Sequence, residues 1–193
     1  MTGPKYVVWC DGSIEGGNPG GWAVGGWILK YSGAIIKTGC IDLGSNGVTN
    51  NMAEYAAILA ALNWFRKNHP GEDLIVRSDS QLIIHQLNRA WKCAKPELVA
   101  YRDRIWQEVL PLGNVTFEWV RRTQNREADV VSRYLYMAED LAKCATTART
   151  AKKFSIVNPE DCVIVQAAGI LSETVGLNAK SDTASTSPSV SGQ

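Results

Sequence analysis

The sequence predicts an α/β protein, and three observations predict it. The run Tyr6-Val7-Val8-Trp9-Cys10 is almost continuously apolar and ends abruptly in Asp11-Gly12-Ser13. A second run, Leu74-Ile75-Val76-Arg77-Ser78, ends the same way, in Asp79-Ser80. Between them lies a long stretch with helical spacing of apolar residues. A strand reached from another strand through a helix is a crossover, and a crossover makes the two strands parallel. Continuous apolar runs are the mark of strands buried on both faces. Gly12 and Ser13 read as the turn where the first strand leaves the core, which would put Asp11 at the carboxyl end of a central strand. Open α/β sheets place their ligand crevices there.

The remaining elements follow in order. Glu15 to Gly21 is a turn-rich loop without the spacing of a complete phosphate-binding motif. Trp22 to Tyr31 and Ala34 to Leu43 read as strands joined at Ser32-Gly33, a hairpin that makes an antiparallel meander with the first strand. Residues 44–48 form a loop. A helix runs from Asn50 or Asn51, either a natural N-cap, to Asn68, where Pro70-Gly71 stops it. Met52, Ala56, Leu59 and Leu62 repeat at helical spacing, and Ala53, Ala57, Ala60 and Ala61 are small enough for close packing on a sheet. Gln81 to Arg89 is a short helix capped by Asp79 or Ser80, and Pro96 opens another through Leu110. Trp91 and Trp106 read as packing residues. A fifth strand, Val115 to Val120, alternates as a half-buried strand does. The basic turn Arg121-Arg122-Thr123-Gln124 leads to Asn125, which caps a final long helix from Arg126 to about Arg149. Residues 1–148 therefore make one domain. Residues 149–180 are an extension whose stretch from Asp161 to Leu177 is apolar enough to dock or form a helix. Residues 181–193 are a disordered tail dominated by Ser and Thr.

Composition narrows the function. The chain has 193 residues, 20 Lys and Arg against 19 Asp and Glu, and 45% hydrophobic residues, ordinary for a globular protein. Its start lacks the regions of a secretory leader, and no apolar stretch reaches the ~20 residues of a membrane span. Five scattered cysteines without a C-x-x-C pair fit reduced thiols in a cytoplasmic protein rather than a disulfide frame or a zinc site. Cys10 reads as a small core residue, not a nucleophile. The first 138 residues are slightly basic, which suits an anionic polymer held against bound cations.

Four acids share one placement: Asp11 and Asp79 at strand ends, Glu54 and Asp129 near helix starts. Each, taken alone, is also an ordinary cap or turn residue. Gathered at one end of a sheet they would repel one another unless cations sat between them. Carboxylates clustered without His or Cys favour Mg²⁺ or Mn²⁺ over zinc, and a pair of such ions is a standard arrangement for in-line phosphoryl displacement.

Asp11-Gly12-Ser13, Thr49-Asn50-Asn51-x-x-Glu54, Ser78-Asp79-Ser80-Gln81 and Asn125-x-x-Ala128-Asp129, in this order and spacing, resemble the type 1 ribonuclease H family over about residues 5–138. The resemblance implies a five-stranded mixed sheet flanked by helices on both faces. It also implies an endonuclease that cleaves the RNA strand of RNA–DNA hybrids with two Mg²⁺ and leaves 5′-phosphate and 3′-hydroxyl ends. Asp11, Glu54, Asp79 and Asp129 would then be catalytic metal ligands. Gly12, Ser13, Asn18, Asn50, Asn51 and Gln81 would line the minor groove, with backbone N–H groups approaching closely at Gly12. Thr49 would grip a DNA-strand phosphate. Many members carry a histidine on a loop before the last acid, whereas this chain has Arg121-Arg122-Thr123-Gln124 there. It resembles the shorter, His-free branch, which makes Arg122 the candidate to contact substrate or help product leave. The basic protrusion of some members is also missing. A monomer is expected, with no protein partner read from the sequence. The competing readings are a non-catalytic hybrid-binding module and a related nuclease or reverse-transcriptase fragment acting on other nucleic acid.

Overall fold

The computed structural model describes residues 6–45, 47–136 and 162–166. In chain order the elements are β1 (Tyr6–Glu15), β2 (Trp22–Tyr31), β3 (Ala34–Gly44), α1 (Asn50–Asn68), β4 (Leu74–Ser78), α2 (Gln81–Leu87), α3 (Pro96–Val109), β5 (Val115–Trp119), a single 3₁₀ turn (Arg122–Gln124), α4 (Arg126–Ser132) and β6 (Cys162–Gln166). The five predicted strands form one mixed sheet. β1, β2 and β3 are the antiparallel meander, while β4 pairs parallel with β1 and β5 parallel with β4. The β2–β3 hairpin turns at Ser32 and Gly33, both with positive φ, as the right-handed twist of the strands requires of a two-residue turn.

The sheet has a sixth strand. β6 lies inside the apolar stretch from Asp161 to Leu177, and its backbone pairs parallel with β3, giving the order β5-β4-β1-β2-β3-β6. The rest of the expected extension and the whole 181–193 tail lie outside the described residues. So does most of the expected helix to Arg149. Its described part is interrupted: α4 closes at Ser132, and Arg133 is a turn before a helical stretch over residues 134–136.

β1 runs five residues further than predicted. Asp11 to Glu15 stay paired with β2, opposite Gly26 to Trp22, instead of turning out of the sheet. The parallel partner stops first, because Cys10 opposite Ser78 is the last β1–β4 pair. Asp11 thus sits one residue past the point where its neighbour ends, and the crevice opens beside β1 rather than beyond it. Glycines let the helices approach at this level. A Cβ on Gly12 would lie 2.4 Å from the Glu54 backbone nitrogen, and one on Gly25 2.8 Å from the Ala53 oxygen, so α1 rests directly on the strands. On the opposite face a Cβ on Gly26 would lie 2.3 Å from the Ser132 nitrogen, so α4 does the same. The three bare positions at the Asp11–Gly26 and Gly12–Gly25 pairs draw one helix from each side toward Asp11.

The main core lies between the sheet and α1, α2 and α3. α1 is buried over most of its circumference and contributes Tyr55, Ile58, Leu59, Leu62 and Phe65, packed against Val8, Trp27, Leu74 and Val76. Its far side is tied to α3 by Glu108, a buried carboxylate that accepts ion pairs from Arg66 and, at 2.7 Å, from Arg104. A smaller cluster of Val24, Ile28, Cys40 and Val131 seats α4 on the other face. Trp106 packs edge-on against Phe117, as expected, but Trp91 does not. It is 47% exposed and lies over His85, because α2 ends at Leu87 and Arg89 takes a positive φ of 59° that swings the connector outward. Cys10, Cys40 and Cys93 are buried, and the Cys40 thiol donates to the Val131 carbonyl at 3.3 Å. Among the described residues no helix is long and apolar enough to cross a membrane.

Candidate active site

Asp11 on β1, Glu54 on α1 and Asp79 just after β4 converge. One carboxylate oxygen from each lies within 4.8 Å of the other two. Asp11 and Glu54 are buried and Asp79 is half-buried, at the wall of a cleft of about 590 Å³. Asp129, in the first turn of α4, lines the same cleft, but its Oδ1 accepts from Arg133 at 2.9 Å and from Arg122 at 3.4 Å. It stands beside the three-acid group rather than in it.

Each of the three acids is oriented by a neutral donor, a role that the motif reading did not assign. The Ser132 hydroxyl donates to Asp11 Oδ2 at 2.8 Å. Ser78 donates to Glu54 Oε2 at 3.3 Å, and the Asn50 amide donates to Glu54 Oε1 at 3.4 Å. The Asn125 amide donates to Asp79 Oδ1 at 2.9 Å. Of these, Ser78, Asn50 and Asn125 stand beside or inside the recognised motifs. Ser132 carried no signal, because its value lies in the approach of α4 to Gly26.

The electrostatics follow from crowding. Burial, reinforced by the charges of Asp79 and Asp129, pushes the Asp11 carboxyl up to about 7, against the opposing Ser132 hydrogen bond and the Arg122 charge. Burial and then the charges of Asp11 and Asp79 hold Glu54 well above the usual carboxylate range. The Cys10 thiol is raised by burial, then by Glu54 and Asp11, which keeps it protonated as a core residue and not a nucleophile. A cluster that retains protons for want of a counter-charge is one that a divalent cation deprotonates on binding. With three carboxylates and no His or Cys among the converging groups, the donor set fits a hard, oxygen-seeking ion.

The other predicted site residues divide. Gly12, Ser13, Asn50 and Arg122 line the cleft with the acids. Asn18, Thr49, Asn51 and Gln81 are not among its lining residues. Asn18 Oδ1 accepts from the Asn50 backbone N–H at 3.2 Å, which docks the 16–20 loop on the start of α1. Thr49, not Asn50 or Asn51, is the N-cap of α1, accepting from the Met52 N–H, since the Asn50 amide is turned toward Glu54. Asn51 is half-buried in the first turn, and Gln81 is exposed at the start of α2. The Ser13 hydroxyl is spent inward, donating to the Ser132 carbonyl at 2.7 Å. The bare Cα of Gly12 is covered by the α1 backbone. Asn125 occupies the N-cap position of α4, as predicted, yet its side chain caps nothing.

An α/β sheet that gathers carboxylates where its parallel strands end is a site suited to a hard cation. Residues 10–135 match the Reverse transcriptase-like family, and the chain belongs to it, within the ribonuclease H group of type 1. A curated relative, "Ribonuclease HI" of Halobacterium salinarum, is 33% identical over 130 residues, which is 67% of this chain and 63% of the relative. This chain thus spans somewhat less than two thirds of that relative's length. The crystal structure of RNase H1 from the same archaeon superposes with a TM-score of 0.63 at 30% identity, over 69% of this chain and 98% of that one. LC11-RNase H1, solved in complex with an RNA/DNA hybrid, superposes with a TM-score of 0.62 at 26% identity, over 74% of this chain and all of the other.

Proposed function

We propose that the protein is a metal-dependent endonuclease that hydrolyses the RNA strand of RNA–DNA hybrids, leaving 5′-phosphate and 3′-hydroxyl ends. The observation that carries this reading is the convergence of Asp11, Glu54 and Asp79 within 4.8 Å at the end of the parallel strands, in a chain whose relatives are ribonucleases H. Asp11, Glu54, Asp79 and Asp129 are the proposed ligands for two Mg²⁺, with Mn²⁺ as a substitute. Ions held there would supply Lewis-acid activation of a water and charge stabilisation of the leaving 3′-oxygen. The chain's own residues do the rest. Ser132, Ser78, Asn50 and Asn125 fix the carboxylates in place before an ion arrives, which lowers the reorganisation needed at the moment of reaction. Arg122 and Arg133, both on the cleft wall, can exchange Asp129 for a substrate phosphate once that carboxylate is committed to an ion. Gly12, Ser13 and Asn50 offer polar groups beside the acids. Asn18, Asn51 and Gln81 are the further proposed contacts to a minor groove with its 2′-hydroxyls, and Thr49 is the proposed contact to a DNA-strand phosphate.

Residues 1–148 are the proposed nuclease domain, monomeric and cytoplasmic, with 149–180 as an extension and 181–193 as a tail. The test uses labelled RNA–DNA, RNA–RNA and DNA–DNA duplexes with Mg²⁺ or EDTA. Cleavage of the RNA strand in the hybrid alone, abolished by EDTA, is expected. Binding of the hybrid without cleavage would identify a non-catalytic module, and cleavage of another duplex a different nuclease.

A further inference from the structure

Asn125 is almost completely buried, 1% exposed, at a position where asparagine ordinarily accepts a hydrogen bond from the helix that follows. Here it makes no such bond. Its Nδ2 instead donates twice, to the Cys10 carbonyl at 2.9 Å and to Asp79 Oδ1 at 2.9 Å. Its Oδ1 is buried without a partner. The amide cannot be turned over to relieve this, because both neighbours are acceptors and a reversed amide would set three oxygens together. The side chain therefore forgoes the cap and leaves a carbonyl unsatisfied, both destabilising, while spending both donors on the acid site.

The two acceptors explain what that achieves. Cys10 is the residue before Asp11, and Asp79 follows the end of β4, so Asn125 bridges the strand ends at the point where their pairing stops. Its own carbonyl accepts from the Asp129 N–H at 3.1 Å, which ties the same residue to the fourth acid. We infer that Asn125 is a positioning residue, which holds Asp79 by one carboxylate oxygen so that the other faces the cation site, and sets Asp79 against Asp11 and Asp129. This rests on the reading of Asp79 as a metal ligand given above.

Asn125→Ser separates this role from a merely structural one. Serine is a good N-cap and carries no orphan amide carbonyl, gains that offset the lost bond to the Cys10 carbonyl, so the metal-free variant is expected to fold. The bond to Asp79 is lost, so the dissociation constant for Mn²⁺, read by calorimetry on the full-length protein without substrate, is expected to rise about tenfold. In an Asp79→Asn background the same substitution should add nothing. Unchanged Mn²⁺ affinity in a folded Asn125→Ser protein overturns the inference. Should that variant not fold, the wild type decides. The Asn125 side-chain amide resonance should shift with Mg²⁺ at the midpoint of binding, and a resonance that stays put overturns the inference equally. If Asp79→Asn itself leaves Mn²⁺ binding intact, the failure is that of the metal-ligand reading and not of Asn125 alone.

Discussion

The Ser132 hydroxyl donates to Asp11 Oδ2 at 2.8 Å, joining the last residue of α4 to the middle of β1 across 121 positions of sequence. Its oxygen also lies 3.0 Å from the Asp129 carbonyl, so the single hydroxyl proton is shared between the Asp11 carboxylate and the backbone of another of the four acids. A donor to a carboxylate favours the charged form, and here it opposes the burial that pushes Asp11 up to about 7. Ser132→Ala should therefore let the Asp11 carboxyl rise further. The pH at which Mn²⁺ binding reaches half its maximum should move upward by about one unit, the order expected for one hydrogen bond to a charged group. Mn²⁺ titrations at a series of pH values would measure it, and no movement would mean the bond does not bear on the site's charge.

Asp11→Asn should abolish cleavage while leaving the fold intact, and its stability effect has a definite sign. The Asp11 carboxyl lies at about 7 in the folded protein against an ordinary 3.8, so between these values the folded state binds a proton that the unfolded state has released. That contribution is complete below about pH 4 and is lost as pH rises through 7. The metal-free mutant should therefore match the wild type in melting temperature near pH 4 and exceed it by several degrees near pH 8. Saturating Mg²⁺ should narrow the gap, because it stabilises the wild type alone. Thermal melts with and without EDTA would show this, and equal melting temperatures at pH 8 would argue that the acids do not strain the apo fold.

Gly12→Ala tests the packing that brings α1 to the site. The added methyl would sit 2.4 Å from the Glu54 nitrogen and 2.8 Å from the Ala53 carbonyl carbon, both backbone atoms that cannot step aside singly. Overpacking of this kind costs about 3 kcal/mol. The variant should lose that much in denaturant unfolding, and any folded fraction should bind Mn²⁺ more weakly, since Glu54 must retreat with its helix. A variant of wild-type stability would show that α1 can shift freely and that Glu54 is not placed by Gly12.

The sequence made the acids legible because each stands in a local signal: an apolar run that ends, or a helix that begins. The β1–β2–β3 meander, the parallel β1–β4 neighbours and the α1 helix were legible for the same reason, through periodicity and the crossover rule. What it concealed depends on contacts between distant segments. Nothing near Ser132 announces that it will meet Asp11, since the contact arises from Gly26 admitting α4 to the sheet. The turn expected at Gly12-Ser13 did not form because glycine there serves helix packing, and β1 stays paired with β2 through Glu15. Asn125 was read as a cap, correctly by position, but its two donor bonds to Cys10 and Asp79 fix the amide so that its oxygen accepts nothing from the helix. β6 was hidden because a five-residue apolar strand parallel to β3 has no turn or crossover pattern to mark its partner.

Arg122 is the proposed contact to substrate or aid to product departure. Its side chain is 76% exposed at the cleft, and its Nη2 stands 3.4 Å from Asp129 Oδ1, a loose contact that a bound cation at Asp129 would release. Arg133 holds the same oxygen more closely, at 2.9 Å, so Asp129 keeps a partner if Arg122 leaves. A guanidinium does not lose its proton at any working pH and so cannot act as a general base where other sequences place a histidine. It can bind a phosphate or stabilise charge. Arg122→Ala should lower kcat or raise KM several-fold and flatten the salt dependence of KM, without introducing an ionisation near pH 6–7. Arg122→Lys should recover only part of the loss if the phosphate is gripped by two parallel N–H groups, because an ammonium offers a point charge and no fork. Metal affinity should stay at the wild-type value in Arg122→Lys, which keeps the charge that Asp11 and Glu54 feel, with Arg133 still beside Asp129. Steady-state kinetics on an RNA–DNA hybrid across pH and salt would decide it, and an Ala variant with unchanged kinetics would reduce Arg122 to a solvated turn residue.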